Sequence, residues 1–306
     1  MAKTIANRFR HALDRVISEV QSAFIPGRLI SDNILISFEC LHRLKRRKRK
    51  QGSMAVKLDM SKAFDRVEWI FVEGMMRKLG FSSRWINLIL HCISSVSYSF
   101  VINGDICGLL KSSRGLRQGD PLSPYLFILC SEGFSCLINQ AVGNGDIQGF
   151  NCIRNGPTIS HLLFADDCML FAKASPSNCN VFKSILDVYA RASGQLINYE
   201  KSTICFSPSI SSFDCDQLAE IFGIKSVDCH EKYLGLPCFI GCKKKDLFSD
   251  ISSRIWDKIK GWRDKFLSIG GKEILIKTII QSIPIYSMNL FQLPKGILNE
   301  IYRLCA

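Results

Sequence analysis

The sequence predicts an α+β fold around an antiparallel sheet. Apolar residues recur at helical spacing in several stretches, as in Ile251, Ile255, Ile259, Trp262 and Phe266. Two segments read as hairpins. One is Tyr98 to Asn103 and Ile106 to Leu110 about an Asn-Gly turn; the other is Ser160 to Ala172, two apolar arms around a polar centre. Helices and strands are interleaved, and the hairpins favour antiparallel pairing over parallel crossovers. The 306 residues are 47% hydrophobic, enough for a sizeable core, while 22% charged and 10% aromatic residues exclude a disordered chain.

The elements follow in order. Ala2 to Val20 is an amphipathic helix on Ile5, Phe9, Leu13 and Val16, broken at Pro26-Gly27. Asp32 caps a second helix through Ile34, Phe38 and Leu41. It leads into Arg43 to Lys50, where seven of eight residues are basic. Such a block repels itself and reads as a mobile loop, serving as a solvated face, a nuclear-import signal or a phosphate-backbone contact. Met54 to Met60 is a strand, and helices follow at Glu68 to Leu79 and from Ser82 or Ser83 to Ser95. Asp120-Pro121 opens a long apolar helix. After the second hairpin, a helix capped near Ser177 ends at Gly194, and Gln195 to Phe206 is a strand region. A last amphipathic helix starts near Ile251, ringed by Arg254, Lys258, Lys260, Arg263 and Lys265.

The net charge of +13 favours a polyanionic partner such as nucleic acid. The 14 cysteines sit mostly in apolar segments and include no CxxC pair, so they read as free thiols of a reducing compartment, cytosol or nucleus. Cys238 and Cys242 lack a second ligand pair at zinc spacing. Apolar runs fall short of a membrane span and no signal peptide opens the chain, so no membrane partner is expected.

Asp166 and Asp167 mark the tip of the second hairpin, where adjacent negative charges call for a cation. Mg²⁺, hard and oxygen-seeking, suits them. Asp59 ends the strand at Met54 to Met60. If that strand pairs beside the Asp166 hairpin, the carboxylates converge and can hold two metal ions for an in-line phosphoryl displacement. Side-chain alternation makes Asp167 the more peripheral of the pair.

An ordered series of segments resembles the reverse transcriptases of non-LTR (LINE-type) retrotransposons, particularly a plant-like lineage. QSAFIPGRLISDNIL (Gln21 to Leu35) resembles the finger segment ahead of the palm, and KLDMSKAFDRVEW (Lys57 to Trp69) resembles polymerase motif A. RGLRQGDPLSPYLFIL (Arg114 to Leu129) is similar to motif B, and FADD (Phe164 to Asp167) to motif C. GQLINYEKS (Gly194 to Ser202) and KYLGLP (Lys232 to Pro237) are similar to motifs D and E.

The resemblance implies a right-hand polymerase fold with an antiparallel palm sheet, helical and loop fingers and a helical thumb. Fingers and connections would span 1–57 and 66–117, the palm 58–65 and 118–240, and the thumb 241–306. It further implies an RNA-directed DNA polymerase that joins deoxynucleoside triphosphates to a DNA primer on an RNA template with two Mg²⁺, or Mn²⁺ in their place. Asp59, Asp166 and Asp167 would bind the metals. Phe64 would lie beneath the incoming sugar and exclude a 2′-hydroxyl, the alternative being a core aromatic. Amides from Met60 to Ala63 would cradle the triphosphate, with Arg28 reaching it from the fingers. Gln118 and Gly119 would support nucleotide and template, Gly119 through unusual dihedrals and close approach. Lys201 would donate a proton to pyrophosphate, and KYLGLP would grip the primer end. The implied location is the nucleus, with the cytoplasm as alternative. The chain reads as a fragment of a longer polyprotein lacking endonuclease and other segments, with a truncated thumb. A competing reading is an inactive nucleic-acid-binding remnant. A viral RNA-dependent RNA polymerase would place Asp at the Phe64 position and Gly at Ala165.

Overall fold

The computed structural model describes residues 2–46, 52–153, 156–239, 248–263 and 267–305. The chain divides into two compact units, Met1–His230 and Glu231–Ala306.

In the first unit, α1 spans Ala2–Val16 and α2 spans Ile30–Arg46. Strand β1 (Ser53–Leu58) precedes α3 (Trp69–Lys78) and α4 (Ser83–Ser94). The hairpin β2 (Ser97–Ile102) and β3 (Asp105–Lys111) leads to α5 (Ser123–Gly143). Short strands β4 (Phe150–Asn151) and β5 (Thr158–Ile159) pair ahead of β6 (His161–Phe164) and β7 (Asp167–Lys173). Then come α6 (Pro176–Ser193), β8 (Thr203–Phe206), α7 (Ser212–Phe222) and β9 (Lys225–Ser226). The central sheet has the order β6-β7-β1-β8-β9, antiparallel except for the β8–β9 edge.

The sheet core explains the sequence pattern. Val56, Leu58, Leu170, Cys168 and Ile204 pack with Phe134 of α5 and Phe182 and Tyr189 of α6. Residues between them on the opposite face, Ala55, Met169, Phe171 and Cys205, are equally buried, and α2 packs along β1 and β6. Strands covered on both faces become continuous apolar runs instead of alternating ones, as in Cys168-Met169-Leu170-Phe171. Each large apolar side chain so buried contributes about 1.5–3 kcal/mol. A second cluster joins α1, α3, α4 and α5, with Phe9 stacked on Phe81 at 5.3 Å.

Helix ends follow cap chemistry. The hydroxyls of Ser82, Ser175 and Ser211 accept from the amides three residues on, at the starts of α4, α6 and α7. Gly194 ends α6 at φ 77°. A side chain there would also meet the Arg66 carbonyl oxygen at 2.4 Å, so glycine is required both by conformation and by space.

Several boundaries differ from the sequence reading. The basic stretch begins as helix: α2 continues through Arg46, with Arg43 paired to Glu39 at 2.7 Å one turn back. Residues 47–50 of that run lie outside the described residues, as do Cys242, Lys265 and Phe266. Asp32 falls in the first turn of α2 and not at its cap. The cap of α6 is Ser175 rather than Ser177. Asp120 accepts from the Leu122 amide at 2.8 Å, forming a turn ahead of α5, whose first-turn proline is Pro124. Of Gln195 to Phe206 only the last four residues form a strand, because Ile197 makes a lone bridge to Met60 before a turn. The expected shortness of apolar runs is corrected by α5: by length and composition its 21 residues could cross a membrane. It is instead packed against α3 and α6 and largely buried. All thirteen described cysteines are free thiols.

The second unit begins with β10 (Lys232–Tyr233) and β11 (Leu236–Pro237). It continues with α8 (Ser249–Arg263), α9 (Ile269–Leu275), a π-helical turn at Ile276–Ile280, α10 (Ser282–Met288) and α11 (Lys295–Cys305). Ile251 and Ile255 of α8 meet Ile280, Leu293 and Ile297 in its core, with Trp262 packed at the margin, while Arg254, Lys258 and Lys260 are exposed. The division at residue 230 places KYLGLP with this unit and not with the sheet. Tyr286 donates to the Leu234 carbonyl at 2.7 Å and Lys232 pairs with Asp250.

Candidate active site

Register brings the acidic residues to one end of the central sheet. β1 and β7 pair through Leu58↔Cys168, so the next position along each strand sets Asp59 beside Asp167. β6 and β7 close at Phe164↔Asp167, leaving Ala165 and Asp166 as a two-residue turn at the same end. Directly opposed strand residues lie about 4.5–5.5 Å apart. Asp59 is fixed from the other side: its amide donates to Ser202 Oγ at 3.1 Å, and its carbonyl accepts from Asn198 at 2.8 Å.

Asp166 is exposed and Asp167 half-buried. As the first residue of β7, Asp167 is tied into the sheet, while Asp166 occupies the turn. Burial raises the Asp167 carboxyl above its ordinary value, opposed by nearby Lys57 and reinforced by the negative charges of Asp166 and Asp59. The Asp167 carboxyl thus feels both of the others, and by donor type and shared edge the three suit a hard cation. Among the described residues, no three His, Cys, Asp or Glu side chains already form a chelating group.

The loop after Asp59 is gripped on two sides. Gly115 donates to the Val67 carbonyl and Leu116 to that of Phe64, each at 2.8 Å. Gln195 Nε2 donates to the Ala63 carbonyl at 2.6 Å. The Phe64 ring is half-buried and stacks on Phe127 at 4.6 Å, so the core-aromatic reading holds for one face of it. Of the amides from Met60 to Ala63, that of Ser61 is already taken by the Leu196 carbonyl.

Gln118 is exposed and lines an open cleft of ≈ 510 Å³ with Tyr98, Phe100, Arg114 and Arg117. Gly119 has φ 85°, as its conformational freedom suggests, with open space instead of a close approach around its Cα. Lys201 is exposed on the same Asn198–Ser202 turn that pins Asp59. Arg28 requires a correction. Its guanidinium donates to the carbonyls of Ser18, Gln21 and Ile17 and to Asp14, clasping the end of α1 instead of reaching toward a triphosphate.

The comparisons with known proteins agree with this geometry. Residues 1–238 match the family model of reverse transcriptase (RNA-dependent DNA polymerase). The chain belongs to the reverse transcriptase family. Its relatives include the Transposon TX1 uncharacterized 149 kDa protein of Xenopus laevis, 27% identical over 92% of this chain and 21% of that protein. The uncharacterized mitochondrial protein AtMg01250 of Arabidopsis thaliana is 59% identical over 22% of this chain and 56% of its own length. A retrovirus-related Pol polyprotein from a type-1 retrotransposable element R2 of Popillia japonica is 28% identical over 58% of this chain and 28% of the polyprotein. The chain therefore spans about a fifth to just over half of these relatives. A telomerase from Candida tropicalis, solved with a TWJ fragment of telomeric RNA, shares the fold at a TM-score of 0.50 and 13% identity. That match covers 94% of this chain and 46% of the telomerase. The fold is the right-hand polymerase fold, and the reverse transcriptase resemblance read from six sequence segments is borne out.

The reading missed two supports of the site. Gln195 lies in the segment read as strand, and Gln21 in the one read as fingers. Neither carries a charge pattern or a spacing signal, so only tertiary contacts reveal them.

Proposed function

We propose that this chain is the polymerase domain of a non-LTR retrotransposon reverse transcriptase, extending a DNA primer on an RNA template with deoxynucleoside triphosphates. The observation that carries the reading is the meeting of Asp59 with the Asp166-Asp167 turn at one sheet end, set by the Leu58↔Cys168 and Phe164↔Asp167 pairs. Asp59, Asp166 and Asp167 would hold two Mg²⁺, or Mn²⁺ in substitution. When bound, these ions neutralise charge at the attacking and leaving oxygens of nucleotidyl transfer.

The chain's own residues supply position. Phe64, braced by Phe127, sets a ring next to the Asp59 loop, where it would meet a 2′-hydroxyl. Gln118 and Gly119, exposed ahead of α5, face the nucleotide and template. Lys201, carried on the turn that pins Asp59, would deliver a proton to departing pyrophosphate. The exposed cations of α8 suit a duplex backbone, which makes binding salt-sensitive. The basic run from Arg43 serves nuclear import in this reading, and endonuclease segments belong to a longer polyprotein.

The test is primer extension by the purified chain with an RNA template, a DNA primer, deoxynucleoside triphosphates and Mg²⁺, alongside a measurement of duplex binding. Metal-dependent lengthening supports the reading. Duplex binding without lengthening, with Mg²⁺ or Mn²⁺, replaces it with an inactive nucleic-acid-binding remnant.

A further inference from the structure

We propose that Gln21 is a positioning residue that holds the Ala165-Asp166 turn in the shape the aspartates need; this rests on the reading of Asp166 and Asp167 as the metal-holding pair. Ala165 has φ 53°, the first central position of a two-residue hairpin turn that normally takes glycine. An alanine there is strained and persists only where its surroundings enforce it.

Gln21 supplies the enforcement. The segment before it docks on the outer edge of β6: the Leu163 amide donates to the Val20 carbonyl at 2.9 Å, and the Ser22 amide to the Leu163 carbonyl at 3.1 Å. Asn33 Nδ2 adds a bond to that same carbonyl at 2.8 Å. This places the fully buried Gln21 side chain under the turn. Its Oε1 accepts from the Ala165 amide and from the Ala23 amide, each at 3.0 Å. Its Nε2 donates to Ser131 Oγ at 3.2 Å and lies 3.5 Å from the Ala165 carbonyl oxygen. Both ends of one strained residue are thus addressed by one side-chain amide.

The orientation of that amide is determined by chemistry. The single Ser131 hydroxyl proton goes to the Ile128 carbonyl at 2.8 Å, so Ser131 Oγ can only accept from Gln21. Nε2 must face Ser131, and Oε1 must face the Ala165 amide. A glutamate could not donate to Ser131 and would bury a negative charge beside Asp166. A methionine of similar length fills the space and makes none of these bonds.

The experiment compares the full chain with Gln21→Met, Ala165→Gly and the double variant. Amide hydrogen exchange is followed over 162–169, Mn²⁺ affinity is measured by titration with the metal alone, and primer extension is resolved into kcat and KM. In Gln21→Met, exchange at the turn accelerates about tenfold relative to the rest of the sheet and Mn²⁺ affinity falls about tenfold. The kcat falls about 10- to 100-fold with KM for the primer–template unchanged, as expected for misplaced reacting groups. Ala165→Gly, which takes positive φ without strain, restores at least threefold of the Mn²⁺ affinity lost in Gln21→Met.

Uniformly faster exchange with unchanged Mn²⁺ affinity would make Gln21 a packing residue and overturn the proposal. So would failure of Ala165→Gly to restore affinity in the double variant. If Gln21→Met does not fold alone, the double variant decides: recovery of folding supports the proposal and continued failure overturns it. A wild-type chain that extends no primer, yet loses Mn²⁺ affinity and turn protection in Gln21→Met, refutes the polymerase reading and leaves this one standing.

Discussion

The hairpins β2–β3 and β6–β7 share a plan and differ in surroundings. Each has apolar arms joined by two residues. In β2–β3 the turn is Asn103-Gly104 at φ 52° and 96°, residue types that accept positive φ. Its arms are open to solvent, with Phe100 61% and Ile106 79% exposed. In β6–β7 the arms are buried, Leu163 at 3% and Leu170 at 0% exposure, and the turn sets a strained Ala165 before Asp166. A relaxed turn needs no help from the rest of the fold. A strained one depends on it, and here the strain sits beside the candidate chemistry.

Several measurements sharpen or break this contrast. The largest effect is expected at the tip: Asp166→Ala lowers primer extension by about 10³-fold or more while duplex binding persists. Retained extension in a primer assay would detach the β6–β7 turn from the mechanism. Next comes the arm. Leu170→Ala costs about 2–5 kcal/mol in denaturant unfolding, the range for a buried leucine whose cavity cannot collapse. A loss below that range would mean that the sheet core is looser than its burial implies.

Acid should probe the buried hairpin through His161. His161 at the start of β6 is buried between Ser135 and Ser160, each 2.8 Å from a ring nitrogen, and burial lowers its pKa from 6.5 to about 4. The folded chain holds it neutral while the unfolded chain protonates it. Stability is therefore full above about pH 6.5 and falls as pH drops toward 4, by at most about 3 kcal/mol. Unfolding free energies measured at stepped pH should show this slope, flattened in His161→Gln. His230, lowered to about 4 by burial, contributes a parallel slope that His161→Gln leaves intact.

A smaller change is expected from Phe64→Ala. Ribonucleotide incorporation should rise relative to deoxynucleotide, by at least about tenfold, or 1.4 kcal/mol, in competing single-nucleotide extensions. An unchanged ratio would return Phe64 to the core alone. The smallest effect belongs to the exposed hairpin. Val101→Thr in β2, 70% exposed in the folded chain, should shift stability by no more than about 0.5 kcal/mol. A larger loss in thermal or denaturant unfolding would mean that β2–β3 is covered in solution.

Much of this fold was legible because local signals and tertiary outcome agree. The Asn-Gly pair marked β2–β3, Gly194 marked the end of α6, and the isoleucine steps marked α8. Other features misled for physical reasons. Arg43 to Arg46 read as loop because like charges repel, but Glu39 one turn back and buried Leu41 and Leu44 hold them helical. The family resemblance implied that Arg28 reaches a triphosphate, but the nearby carbonyls after α1 claimed its guanidinium. Gln21 and Gln195 stand in segments that resemble the family, but nothing local gave them a role, since a neutral amide acquires meaning only from the groups placed around it.

The sequence by itself determined the kind and order of most elements of the first unit and the identity of the acidic residues, because propensity, periodicity and turn chemistry act over a few neighbouring positions. Only the tertiary structure decided which apolar hairpin is buried, that Asp59 lies beside Asp167, and that a glutamine far upstream grips the turn. Those facts depend on strand register and on contacts between residues more than a hundred positions apart, which no local pattern encodes.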